Sequence, residues 1–218
     1  MDTNLQEWTI TDLWPYAALM IVFVSWAVYH FIAPRNWREW AGAGLLQAFV
    51  IALYGEMYGF PLTIYVLTTF LPIKIPMVHD SGHLWATLLG YGRGGDIIEM
   101  LIGSLFIVTG LVLIVRGWVR VYFAAEEMAY DGIYRFMRHP QYTGIFLAVF
   151  GQLVHWPTIP TLLLSPFIVM LYVGLARREE RRMIEKFGHD YLAYQKNVGM
   201  FFPHLHDIKN MFAQRRFH

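Results

Sequence analysis

Cysteine is absent from this sequence. Disulfides, thiolate nucleophiles, Cys-ligated zinc and iron–sulfur clusters are excluded together. Charge is scarce too. Asp, Glu, Lys and Arg make up 15% of the 218 residues, against about 25% in a soluble domain. Low-complexity tracts, basic repeats and internal repeats are missing. The net charge of +1 gives no pull toward nucleic acid. The first twelve residues carry Asp2, Glu7 and Asp12 but no Lys or Arg, so the basic region of a secretory signal is lacking. What is abundant is apolar: 56% hydrophobic and 17% aromatic residues, with a mean hydropathy of +0.39. This balance predicts one unit solvated by lipid over much of its surface.

A spanning helix needs roughly 20 apolar residues. Leu13 to Ala33 supplies the first, followed by Arg35, Arg38, Trp37 and Trp40 at the expected interface. Gly44 to Leu71 is too long for one untilted helix; it predicts a long helix bent near Gly59-Phe60-Pro61, with two shorter helices as the rival reading. Residues 72–96, with Pro72, Pro76, Lys74 and Gly90, Gly92, Gly94 and Gly95, predict a loop with a short amphipathic helix around Leu84 to Leu89. Ile97 to Val119 is the third span, with Glu99 near its start. Gly144 to His155 and Thr158 to Ala176, joined by Trp156-Pro157, predict a helical hairpin. The expectation is an all-α, polytopic membrane protein of about five transmembrane helices. Residues 1–96 form an N-terminal transmembrane region with two spans and a loop. Residues 97–218 form a core with a C-terminal cytoplasmic helix.

Charge sets an orientation. Arg35 and Arg38 follow span one, Arg116, Arg120, Arg135 and Arg138 follow span three, and Arg177, Arg178, Arg181 and Arg182 follow span five. By the positive-inside rule these regions are cytoplasmic and the N-terminus is extracytoplasmic.

The chemistry concentrates in two polar stretches. The first is Asp131-Gly132-Ile133-Tyr134-Arg135-Phe136-Met137-Arg138-His139-Pro140-Gln141-Tyr142-Thr143-Gly144. Pro140 removes a donor and steers His139 away from helix; Gly144 permits close approach. The second runs through Arg177-Arg178-Glu179-Glu180 to Phe187-Gly188-His189-Asp190-Tyr191 and Tyr194. Gly188 suits a helix end, with Tyr191 and Tyr194 starting a new turn.

Gly-x-Tyr-x-x-x-Arg-His-Pro-x-Tyr-x-Gly, then Glu179-Glu180, then Phe-Gly-x-x-Tyr-x-x-Tyr, resembles the isoprenylcysteine carboxyl methyltransferase family. Phospholipid N-methyltransferases and bacterial thiol S-methyltransferases are similar in the same region, which covers about residues 106–203. The resemblance implies transfer of a methyl group from S-adenosylmethionine at a cytoplasmic cofactor site. It implies a lipophilic or membrane-partitioned acceptor with a carboxylate, amine or thiol. Residues 1–100 show no such resemblance. The Gly-x-Gly cofactor motif of the phospholipid enzymes is not found on span three. A sulfonium methyl is already electrophilic, so the lack of Cys is no handicap; alignment is what the protein must provide.

The resemblance implies cofactor contacts by Tyr134, His139, Pro140, Tyr142, Gly144, Glu179 and Glu180. A Glu can meet the ammonium or ribose. Tyr134 and Tyr142 can flank the adenine or cover the sulfonium. Arg138 can hold a carboxylate on cofactor or acceptor, as the catalytic or substrate-orienting residue. The bland alternatives are an interfacial anchor for Arg138, a solvated helix face for Glu179-Glu180 and a structural role for His139. Glu56, ionisable in a lipid segment, either lines a substrate cavity or pairs with a basic group from span three. Gly103 and Gly110 read as close-packing points. His79 and His83 stand four apart, but no third ligand is evident and no metal is expected. The rival classes are an electron carrier using His30, His139 and His155, or a transporter or sensor retaining the fold.

Overall fold

The computed structural model describes residues 14–32, 37–71, 75, 79–123, 128 and 130–203. The acidic N-terminal residues, Arg35, Pro72, Lys74 and Pro76 lie outside them, as do the side chains of His79 and Arg93. The described chain is helical: α1 (Trp14–Ile32), α2 (Trp37–Tyr58), α3 (Leu62–Phe70), α4 (Leu84–Leu89), α5 (Gly92–Phe123), α6 (Pro140–His155), α7 (Ile159–Phe187) and α8 (His189–Asn197). Short 3-10 turns cover His79–Gly82 and Gly132–Arg135.

The protein is an all-α, multi-pass membrane protein. Trp37–Tyr58, Gly94–Val121 and Ile159–Phe187 are long and apolar enough to cross a bilayer, and Trp14–His30 is a shorter apolar helix. The outward side chains agree. Leu19, Val22 and Phe23 on α1, Leu101, Leu105 and Val108 on α5, and Leu163, Phe167 and Met170 on α7 are all exposed. In water such side chains would have nothing to cover them; in lipid they need no cover.

Two compact units are interleaved along the chain, one holding 1–105 and 150–169, the other 106–149 and 170–218. In the first, the stretch 44–71 resolves not as one bent helix but as two helices. α2 stops at Tyr58 and α3 begins at Leu62. Pro61 lacks the N–H that would continue the ladder, and Glu56 replaces the lost register by accepting the Thr63 N–H at 2.8 Å. The Glu56 carboxylate therefore caps α3, which the sequence alternatives did not include. Its second oxygen, Oε1, is buried without a hydrogen bond among the described residues.

Glu99 plays the same part for α4, accepting the Trp85 and Ala86 N–H groups at 3.2 Å each. The short helix at 84–89 thus lies where its sequence suggested. Its neighbours do not. Gly92, Gly94 and Gly95, read as loop, are the first turn of α5. An added Cβ at Gly95 would meet Tyr91 and Ala86, so this glycine serves close approach rather than chain freedom. After Trp156-Pro157, Thr158 and Thr161 open α7 by exchanging backbone N–H to hydroxyl bonds at 3.2 Å.

In the second unit, α5 and α6 approach through glycines. A Cβ at Gly110 would strike the Gly144 carbonyl and Ala148, and one at Gly144 would strike the Gly110 carbonyl and Ile114. At Gly117 it would meet Gln141 and Pro140. Pro140 begins α6, where its missing N–H costs no helical bond. Gly188, at φ 54°, breaks the chain between α7 and α8 as its sequence predicts.

Candidate active site

The Arg138-His139-Pro140 turn is fixed from both sides. The Arg138 N–H donates to Gly199 O at 2.9 Å, and the His139 N–H to Met200 O at 3.0 Å. Thr143 Oγ1 donates to Phe201 O at 2.9 Å. Residues 199–201, a bent stretch after α8, therefore clamp the start of α6. Upstream, Tyr194 donates to the Tyr134 carbonyl at 2.6 Å, and the Tyr134 hydroxyl donates to Gly117 O at 3.3 Å. Burial pushes the Tyr194 hydroxyl up to about 12, opposed by Arg138 and aided by Glu180. It raises Tyr134 further, with Glu179 adding to the rise. Both phenols keep their protons at neutral pH and stay donors.

On this frame α7 presents two carboxylates. Glu180 is buried. Its Oε1 lies 3.0 Å from Arg138 Nε and 3.2 Å from His139 Nε2, and its Oε2 accepts from Gln195 Nε2 at 2.9 Å. Arg138 is 9% exposed, which removes it from the role of interface anchor. One guanidinium nitrogen donates to Gln195 O at 3.1 Å, while Nε is in ion-pair contact with Glu180 without the alignment of a hydrogen bond. Glu179 is 40% exposed and stands 3.6 Å from His139 Nδ1. Tyr142 donates its hydroxyl to Glu179, stacks on His139 with planes 4° apart, and meets Tyr172 edge-on at 5.2 Å.

The structure thus brings Arg138, His139, Tyr142, Glu179 and Glu180 into one cluster. Tyr134 supports it from below the Arg-His turn. Pro140 and Gly144 are placed in the α5–α6 contact, and Glu56 at the α3 cap. Gln195, Tyr172 and the 199–201 clamp were missed. Gln195 sits on the α8 surface pattern with nothing to mark it, and Tyr172 is one more aromatic in an apolar run. Of the three histidines weighed as haem ligands, His139 faces carboxylates, His30 stacks on Trp26 and His155 stacks on His83.

The set has the composition of a site for a cation. Apart from the imidazole, two carboxylates face one guanidinium, and one carboxylate reaches solvent.

Residues 98–190 match the phospholipid methyltransferase family. The chain is 35% identical over 69 residues to a protein-S-isoprenylcysteine O-methyltransferase of Schizosaccharomyces pombe, covering 31% of this chain and 29% of that protein. It is 35% identical over 78 residues to a methanethiol S-methyltransferase of Pseudomonas deceptionensis, covering 34% of this chain and 27% of that protein. The aligned stretches span less than a third of either relative. No solved structure matches. Residues 98–190, the stretch that matches the phospholipid methyltransferase family, hold the whole cluster except Gln195 and the 199–201 clamp.

Proposed function

We propose that this chain is an integral-membrane methyltransferase. It takes S-adenosylmethionine as donor and a lipophilic or small membrane-partitioned molecule as acceptor. The observation that carries the reading is the buried Arg138–Glu180–His139 contact beside the solvent-reaching Glu179, inside the segment that matches the family. The excess carboxylate suits a donor that carries an ammonium and a sulfonium.

S-adenosylmethionine would supply a methyl group on a sulfonium: the acceptor's lone pair forms the new bond to carbon while the carbon–sulfur pair stays on sulfur. The chain's residues need only bind, orient and keep water out. Glu179, open to solvent, receives the ammonium. Glu180 holds Arg138 and His139 in place, and Arg138 offers its remaining N–H groups to a carboxylate. Tyr142 and Tyr134 provide aromatic faces for the cation or adenine. Pro140 and Gly144 act by seating the start of α6.

The acceptor's reactive group is a carboxylate, amine or thiol; the names of the two relatives bring carboxylate and thiol forward. Residues 97–218 carry the chemistry, and 1–96 carry what distinguishes this chain. Five spans with the N-terminus extracytoplasmic put the cluster on the cytoplasmic side. An N-terminal reporter found in the cytoplasm would overturn this topology. The activity is tested by incubating membranes containing the protein with methyl-labelled S-adenosylmethionine. Label should appear in an extractable, membrane-partitioned product. No label above that of membranes lacking the protein would overturn the reading.

A further inference from the structure

Tyr172 is 1% exposed, among the most completely buried large side chains of the molecule. Among the described residues its hydroxyl has no hydrogen-bond partner. A buried phenol normally finds one, because leaving the group dry and unpaired is costly. The ring is held: its contact with Tyr142 at 5.2 Å and 61° fixes it beside the cluster. Tyr142's own hydroxyl is committed to Glu179. Tyr172 and Glu179 are seven residues apart on α7, so they share a helix face, with Tyr172 about 10 Å deeper along the apolar part of the helix.

We propose that the Tyr172 hydroxyl binds the reactive group of the methyl acceptor, and that this group is a carboxylate or thiolate on an apolar molecule. The inference rests on the methyltransferase reading above. Depth separates the two ligands: the polar donor belongs at the charged end of α7, and an apolar acceptor belongs in the apolar part of the helix, where Tyr172 lies. The orphaned group is an O–H donor in a dry environment, where an anion most needs one. A carboxylate or thiolate has several lone pairs, so it can accept from Tyr172 with one and attack the methyl carbon with another. An amine has a single lone pair, and a hydrogen bond donated to it would block the attack.

Tyr172→Phe tests this. In the ligand-free protein the change removes an unpaired polar atom, so Tm should be unchanged or higher. The binding constant for S-adenosylmethionine should stay within twofold. With N-acetyl-S-farnesylcysteine as carboxylate probe and methanethiol as thiol probe, wild type should methylate at least one. For that probe KM should rise roughly tenfold or more in the variant, with a smaller change in kcat. Unchanged KM and kcat would overturn the proposal. So would a clear fall in Tm, which would mean that the hydroxyl holds the fold together. A wild type that binds S-adenosylmethionine but methylates neither probe, or methylates amines instead, would overturn it too. Wild type that does not bind S-adenosylmethionine at all would fail the underlying methyltransferase reading instead.

Discussion

The two units bury carboxylates in different ways. In the first, Glu99 spends both oxygens on the Trp85 and Ala86 N–H groups, and Glu56 spends one on that of Thr63. Each is a helix cap made by a side chain seven to fourteen residues away. In the second, Glu180 is held by three side chains, from Arg138, His139 and Gln195. A carboxylate that satisfies backbone serves the fold. One gathered among side chains from the turn before α6 and from α8 orders a charged constellation that the helices themselves do not need.

The comparison is broken most forcefully at Glu180. Glu180→Ala strands Arg138 as a buried charge and should cost about 3 kcal/mol of stability, seen as a large fall in Tm. Glu180→Gln keeps the volume and the contact with Gln195; it should fold, yet bind S-adenosylmethionine tenfold or more weakly by calorimetry. If Glu180→Gln bound normally, the Glu180 cluster would be as structural as the Glu56 cap.

Arg138→Lys comes next. An ammonium cannot reproduce the planar contacts to Glu180 and the Gln195 carbonyl. Loss of about tenfold in kcat/KM is expected. A raised KM for S-adenosylmethionine would mark a donor contact, and a lowered kcat with normal donor binding an acceptor contact.

These effects follow from pairings that local pattern could not reveal. The Arg-His-Pro and Glu-Glu motifs were legible because residue type and order survive in sequence. That His139 would face Glu180, forty-one positions away, was not. Nor was the return of residues 199–201 to clamp the start of α6, since nothing in Gly199-Met200-Phe201 advertises a backbone partner. Helices were legible from apolar length, the α4 segment and the Gly188 break among them. The Gly92–Gly95 run misled because loop glycines and close-packing glycines look alike in sequence. Glu56 shows the same limit: an ionisable group in lipid suggests function, and nothing in the sequence announces that its carboxylate accepts the Thr63 N–H.

Glu56→Ala should therefore lower stability by about 1 kcal/mol, the usual cost of a lost N-terminal cap, and leave the affinity for S-adenosylmethionine unchanged. A raised KM for acceptor at unchanged Tm would instead give its free Oε1 a substrate role. The smallest effect belongs to Asp131→Asn. Its exposed contact with Arg120 holds the carboxyl below the usual range, yet solvent screens the pair, so neither Tm nor turnover should move measurably.

The central claim is that the Glu180-centred cluster is a donor site. Titration calorimetry of S-adenosylmethionine and its demethylated product into folded protein in nanodiscs tests it most directly. The account predicts one saturable site in wild type, weakened tenfold or more by Glu180→Gln and unaffected by Glu56→Ala. No binding to well-folded wild-type protein, or equal binding by wild type and Glu180→Gln, would contradict it.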